Sequence, residues 1–371
     1  MSTIDDVSRF VFSTLFFPKK VLIDRPGIIV NKIMQKYSGL NSQHRAVFFF
    51  EEIMSGLQNE SIKKLGRDKA KALWYKTGKD VAARYLVLGN AKKMPSFLQK
   101  ITIEYVLSGF RAAGQTFALK TNFNSSDKSF VVTGNNNLVC RKTNLGDFSS
   151  GLVSGIVSFF TGENIEAETI CNCPNCKIIA NKKIQKKYIL NIDFVRPDKY
   201  YFSLNFPKFI SNSSGSGSFK DFIKFRKIVV DIDSKFTYKG HALALGEIGL
   251  FHIIARNYID ALSKKSFDDV VLKASINIAK DMFAKKINES DKIDEIFKML
   301  SAVGYGNFFF RKNLKKITVI NKWVPYYDGI FYYQQLMLCG FLNAATNHKW
   351  SILEVSFEKK ESTLKIVLEK R

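Results

Sequence analysis

Apolar and polar positions along this chain switch between a period of two and a period of about 3.6 residues, and they do so twice in the same order. Residues 9–37 (RFVFSTLFFPKKVLIDRPGIIVNKIMQKY) and 227–258 (KIVVDIDSKFTYKGHALALGEIGLFHIIARNY) each read as β-like runs, a turn, a short run and then an amphipathic helix. The pairs Pro26-Gly27 and Gly246-Glu247 mark the two helix starts in this reading. A second helix follows in each half, over Ala72–Leu88 and Val270–Ile287. Small residues recur on it, Gly78 and Ala82 in one half and Ser275 and Ala279 in the other, where a helix can approach its neighbour closely. A third helix (97–114 and 292–306) runs into a strand pair, with Gly114 and Gly306 as its stops. The strand pairs are Thr116–Lys120 with Ser129–Thr133, and Asn307–Phe310 with Lys316–Asn321. A last helix (Ser149–Thr161, Tyr332–Thr346) and two final strands complete each half.

Between the halves, Ser211-Asn212-Ser213-Ser214-Gly215-Ser216-Gly217-Ser218 has the composition of a flexible polar linker. The expected organisation is a first domain over 1–205, a linker over 206–226 and a second domain over 227–371. The stretch 190–206 reads as strand-like and fits either domain. The fold class expected is α+β: two tandem copies of an antiparallel sheet covered by helices.

Composition sharpens this picture only in places. An apolar content of 46% in 371 residues excludes dominant disorder and supplies two cores. No apolar run approaches the ~18 residues of a membrane span. Met1-Ser2-Thr3-Ile4-Asp5-Asp6 lacks the basic and apolar regions of a secretory signal, so a cytoplasmic protein is expected. The net charge of +24 points to polyanions as partners, either nucleic acid or an anionic surface. That excess is spread over both halves, +14 in residues 1–200 and +10 in 201–371. Local runs occur at 182–187, 224–227 and 311–316, and solvated faces explain them as readily.

Three of the five cysteines, Cys171, Cys173 and Cys176, fall within six residues, and Glu168 lies just before them. Cys173-Pro174-Asn175-Cys176 is a Cys-x-x-Cys turn of the kind that places two thiolates around one ion. In a cytoplasmic chain such a cluster favours structural zinc over a disulfide, and cysteines this close are poor disulfide candidates. Free thiols and a redox-active group are the alternatives. Cys339, between Leu338 and Gly340 on a helix, reads as a core cysteine.

Catalytic constellations are not apparent. His44, His241, His252 and His348 have neither ligand spacing nor a nucleophile nearby in the sequence. Gly304-Tyr305-Gly306 lacks the third glycine of a dinucleotide fingerprint and follows a helix. There is no Gly-x-Ser-x-Gly, Walker or His-Glu-x-x-His motif. The preferred reading is therefore non-enzymatic, with enzymatic activity left open.

Residues 149–178 (SSGLVSGIVSFFTGENIEAETICNCPNCKI) resemble the end of the 4-vinyl reductase domain: a small-residue helix, a strand with Glu-x-x-Cys, and a further cysteine before the last strand. The Leu73–Gly78 helix and the Gly109–Gly114 segment resemble it too. The resemblance covers most of 10–180, and a degenerate copy covers 227–371. It implies a ligand-sensing α+β module, similar to phenol-type sensor domains and to vesicle-tethering TRAPP subunits, which holds a hydrophobic small molecule or acyl chain between helices and sheet. It also implies metal ligands at Glu168, Cys171, Cys176 and, by position, Cys140. The spacing from Cys171 to Cys176 is shorter than the family's, so Cys173 competes with Glu168 as a ligand. In the second copy Phe357 stands where Cys171 would be, and no metal is expected there.

The pocket residues implied are Trp74, Tyr75, Phe110, Phe117 and Phe159 in the first copy, with Phe283, Tyr305, Phe308 and Phe341 in the second. For each, ordinary core packing is the competing explanation. The function expected is a non-enzymatic sensor or scaffold with structural zinc, its two copies packing on each other as a pseudo-dimer. The alternatives are a basic scaffold for nucleic acid or a membrane surface, and a tetrapyrrole-related enzyme or accessory factor.

Overall fold

The computed structural model describes residues 22–25, 27–31, 45–88, 91–112, 115, 117–124, 129–135, 138, 140–172, 175–184, 217–230, 236–284, 288–313, 315–322, 324, 328–358 and 363–371. The strands and helices in the first half are β1 (Leu22–Arg25), β2 (Ile28–Asn31), β3 (Arg45–Phe50), α1 (Glu51–Leu65), α2 (Arg67–Leu88), α3 (Ser96–Ala112), β4 (Phe117–Asn124), β5 (Ser129–Asn135), α4 (Asp147–Thr161), β6 (Glu166–Asn172) and β7 (Asn175–Asn181). A short helix, α5 (Phe219–Lys224), precedes the second half. There follow β8 (Ile228–Val230), β9 (Phe236–Tyr238), β10 (His241–Glu247), α6 (Ile248–Ala261), α7 (Lys264–Met282), α8 (Glu289–Ala302), β11 (Asn307–Lys312), β12 (Lys316–Lys322), α9 (Asp328–Thr346), β13 (Trp350–Glu358) and β14 (Thr363–Lys370). The fold is mixed helix and sheet, with three antiparallel sheets. Among the described residues no helix is long and apolar enough to cross a membrane.

A six-stranded sheet in the order β1-β2-β3-β10-β9-β8 takes three strands from each half. Its central pair runs antiparallel from Leu243↔Phe50 to Glu247↔Ala46. Both central strands are buried along their whole length, which explains why RAVFFF and HALALGE do not alternate cleanly. Two four-stranded sheets lie outside it, ordered β4-β5-β7-β6 and β11-β12-β14-β13. Here alternation is plain: along β7, Cys176, Ile178 and Ala180 are buried while Asn175 and Lys177 are exposed.

Helices α2 and α4 pack together, as do α7 and α9, while α1 meets α7 and α2 meets α6. Apolar burial runs without a break from Ile29 to Leu368, so both halves share one core. The seam between the halves is also polar. Buried Arg45 donates to the carbonyls of Gly27 (2.8 Å) and Gly304 (3.0 Å), and burial lowers its guanidinium to about 9. Gln115 donates to Leu245 O at 2.7 Å, and Arg84 pairs with Glu247 at 3.1 Å with both side chains out of solvent. Gly27, in a left-handed turn, lies so close to the Gly306 backbone that a Cβ there would sit 2.1 Å from its carbonyl carbon.

Two expected segments take a different form in part. Directly after Pro26-Gly27, where a helix start is expected, Ile28–Asn31 is a strand paired with β1; residues 32–44 lie outside the described residues. Among the described residues the first helix of this half begins at Glu51, directly after β3, as α6 begins directly after β10. Part of the segment read as linker, residues 219–224, is α5, closed by a capping box between Ser218 and Asp221 and anchored by buried Phe219 and Phe222. Gly114 and the strand-like stretch 190–206 lie outside the described residues.

Candidate metal centre

The loop entering α4 brings Cys140 to the end of the β6–β7 hairpin. Thr143 N and Asn144 N both donate to Cys140 O (3.0 and 2.8 Å), and Asn144 takes a positive φ that closes this turn. The turn is clamped onto α1. Arg141 makes a two-pronged ion pair with buried Glu51, Lys142 reaches Glu52 at 2.9 Å, and Thr143 Oγ1 donates to Gln58 Oε1 at 2.6 Å. Burial alone would raise the Glu52 carboxyl, but bonds from His241 and Lys142 outweigh it and hold the group down at about 2.

Cys171 and Cys176 face each other across the hairpin, with Cα atoms 4.2 Å apart. Their sulphurs are joined as a disulfide. This corrects the expectation that cysteines five residues apart pair poorly: a tight antiparallel hairpin puts directly opposed Cα atoms at about this separation. The Cys140 sulphur lies 3.3 Å from that of Cys176 and 4.0 Å from that of Cys171. All three sulphurs fall within 4.8 Å of one another.

Zinc–sulphur bonds of about 2.3 Å in a tetrahedron separate the sulphurs by about 3.8 Å. The two distances from Cys140 bracket that value, so the donor set fits a thiophilic ion once the Cys171–Cys176 bond is reduced. A Cβ at Gly146 would lie 2.7 Å from the Cys171 sulphur and 2.4 Å from Thr169 Cγ2, so a larger residue there would press on both side chains.

Glu168 does not join the cluster. It lies three positions before Cys171 on the same strand, and residues at odd spacing point to opposite faces, so its side chain is exposed. Cys173 lies outside the described residues.

The described aromatic side chains of the implied pocket meet different partners. Trp74 is buried on α2, donating to Ser61 Oγ at 2.9 Å and meeting Phe148 edge-on. Tyr75 turns to another partner, its hydroxyl donating to the Glu166 carboxylate and accepting from Ala167 N at 3.0 Å. Phe110 packs edge-on against Tyr85, and half-buried Phe159 against Phe160. Phe117 begins β4 opposite Asn135. In the second half Tyr305, Phe308, Phe341 and Phe283 are all buried, and Lys239 Nζ sits 4.6 Å over the Phe283 ring. Cys339 is buried, donates to Trp350 O at 3.0 Å, and has its thiol raised to about 11 by burial.

A buried ionic network was not anticipated from sequence. Lys79 Nζ is 2.8 Å from Glu166 Oε1, and Ser154 Oγ reaches Glu166 Oε2 at 3.3 Å beside the Tyr75 hydroxyl. Only the i, i+4 spacing of Tyr75 and Lys79 on one helix face hinted at it. Of the basic runs, Lys182 pairs with Glu163, Lys312 with Glu289 and Lys316 with Glu369, while Lys224, Arg226 and Lys227 are exposed.

No protein-family model matches this chain, and no curated protein matches it. A solved structure, the phenol-responsive sensory domain of the transcription activator PoxR with phenol, aligns with a TM-score of 0.33 and 15% identity, covering 50% of this chain and 94% of that one. A likeness of that size assigns this chain neither fold nor ligand.

Proposed function

We propose that this chain is a non-enzymatic binding protein, a sensor or scaffold whose first half holds a structural zinc through Cys140, Cys171 and Cys176. One observation carries the metal reading: three sulphurs from two segments 31 and 36 residues apart in sequence converge within 4.8 Å. Cys173, between Cys171 and Cys176 in the sequence, supplies the fourth sulphur in this reading. Zinc would tie the Cys140 turn to the hairpin, and through the ion pairs of Arg141 and Lys142 to α1. Thiolates bind zinc and a disulfide does not, so the ion belongs to the reduced protein.

The same reading makes the chain a tandem pair of copies packed as a pseudo-dimer, divided near 206–226. It is supported by the order of the described elements, which from β1 and from β8 onward is strand, strand, strand, helix, helix, helix, strand, strand, helix, strand, strand, and by the like order of the two outer sheets. The ligand proposed is a hydrophobic small molecule or acyl chain, on the resemblance of residues 149–178 to the 4-vinyl reductase domain.

Native mass spectrometry of the reduced full chain, compared with its denatured mass, tests both parts. The expected result is about one zinc per chain, lost in Cys176→Ser, together with an organic adduct. Reduced protein that takes up no zinc overturns the metal reading. Zinc without an adduct, followed by no gain in melting temperature across a panel of phenols and fatty acids, overturns the ligand reading alone.

A further inference from the structure

Helix α3 has two apolar faces, and only one is used by the fold. Gln99, Ile103, Leu107 and Phe110 are turned inward. On the other side Phe97 is 76% exposed, Ile101 65% and Tyr105 58%, with Leu98 beside them at 37%. Phe97, Ile101 and Tyr105 are spaced by four residues, so they line one face over about 12 Å of helix. A solvated surface gains nothing from a row of this kind, and contiguous exposed apolar side chains mark interaction sites.

The charge around this row selects the partner. Exposed Lys92, Lys93 and Lys100 flank it, and no Asp or Glu occurs from residue 89 to residue 103. Glu104, the next acid along the helix, accepts from Thr121 Oγ1 at 2.6 Å, and Glu163, beside Gly162, pairs with Lys182. Lys93 Nζ lies 3.9 Å from the position of a Cβ on Gly162, where α4 ends, so this lysine covers a helix C-terminus at the border of the patch. The chain as a whole carries +24.

We infer that the outer face of α3 docks on an anionic lipid surface, with Phe97, Leu98 and Ile101 entering the acyl boundary and Lys92, Lys93 and Lys100 meeting the headgroups. An aromatic and aliphatic row edged by lysines is the pattern of a helix that lies in the membrane interface. A protein groove could also take the apolar row, but the acid-free basic border matches a negatively charged plane. This surface is independent of the cysteine cluster.

Co-sedimentation of the full chain with vesicles tests the assignment, using phosphatidylcholine alone and phosphatidylcholine mixed with phosphatidylserine. The expected result is partitioning onto the phosphatidylserine vesicles that weakens with salt. Phe97→Ser with Ile101→Ser should reduce it about tenfold or more at unchanged charge and unchanged melting temperature. Absence of partitioning at low salt overturns the inference. So does equal binding by the double variant, which would mean adsorption through general charge. A dimer in light scattering that the double variant dissociates, without vesicle binding, assigns the face to a second copy of the chain instead.

Discussion

Gly151→Val is expected to destabilise the protein by about 3 kcal/mol or more, at the upper end of what overpacking costs. At the crossing of α2 and α4, a Cβ on Gly151 would lie 2.0 Å from Tyr75 O, and one on Gly78 would lie 2.0 Å from Phe148 O and 2.8 Å from Leu152 N. These are backbone atoms, so no rotamer change relieves the clash; the helices themselves must part. Parting them would pull Trp74 from Phe148 and disturb the burial of Val153 and Ile156 on the same helix. The second half allows more. A Cβ on Gly340 would meet the Ser275 Cβ at 2.6 Å and Leu272 O at 2.9 Å, so Gly340→Ala should cost less than Gly151→Ala. Gly109 on exposed α3 has nothing within 4 Å of its Cβ position, and Gly109→Ala is expected to be neutral or stabilising by about 1 kcal/mol. Urea midpoints at constant slope read all four variants. A Gly151→Val midpoint equal to the parent's would mean that α2 and α4 do not approach this closely in solution.

That close approach was legible in the sequence because Gly78 sits inside an otherwise bulky helix, as Ser275 does where α7 meets α9. The later helices and strands were legible for the same kind of reason: 97–114, 292–306 and the hairpins have strong periodicity and clear turns. The start of each half was not. Glu51–Leu65 is half polar and follows an apolar run, so its helical period is weak. The step from β3 into α1, like that from β10 into α6, was therefore hard to place from the sequence. Pairing of β3 with β10 joins residues almost two hundred positions apart, and local pattern carries no information on such a contact. At the candidate site, cysteine density pointed to Cys171 and Cys176, whose sulphurs the structure brings together with that of Cys140. Strand alternation, had it been applied to β6, would have excluded Glu168 from the side that Cys171 faces.

The second large effect is expected at the buried ion pair of Lys79 and Glu166. Both side chains are at most 2% exposed. Their desolvation is offset by a 2.8 Å contact between them and by the hydroxyls of Tyr75 and Ser154 on the carboxylate. Burial, followed by the bond to Glu166, raises the Tyr75 hydroxyl above its ordinary value, so it stays protonated and donates. Glu166→Ala leaves the Lys79 ammonium buried without this carboxylate, and about 3–5 kcal/mol of stability should be lost. Lys79→Met should cost a similar amount by leaving the carboxylate without its ammonium. The double variant Lys79→Met with Glu166→Leu removes both charges and should recover most of the loss, giving a large non-additive term in the cycle. Additive losses would show instead that the pair is solvated and that each side chain acts through packing alone. Glu166 is also the first residue of β6, the strand that carries Cys171. The network fixes one end of that strand against α2 and α4, while the sulphur cluster holds the other end against the Cys140 turn. With zinc bound as proposed, Glu166→Ala should therefore lower the melting temperature of the reduced protein and still leave about one zinc per chain, because the Cys171 sulphur sits at the strand's far end.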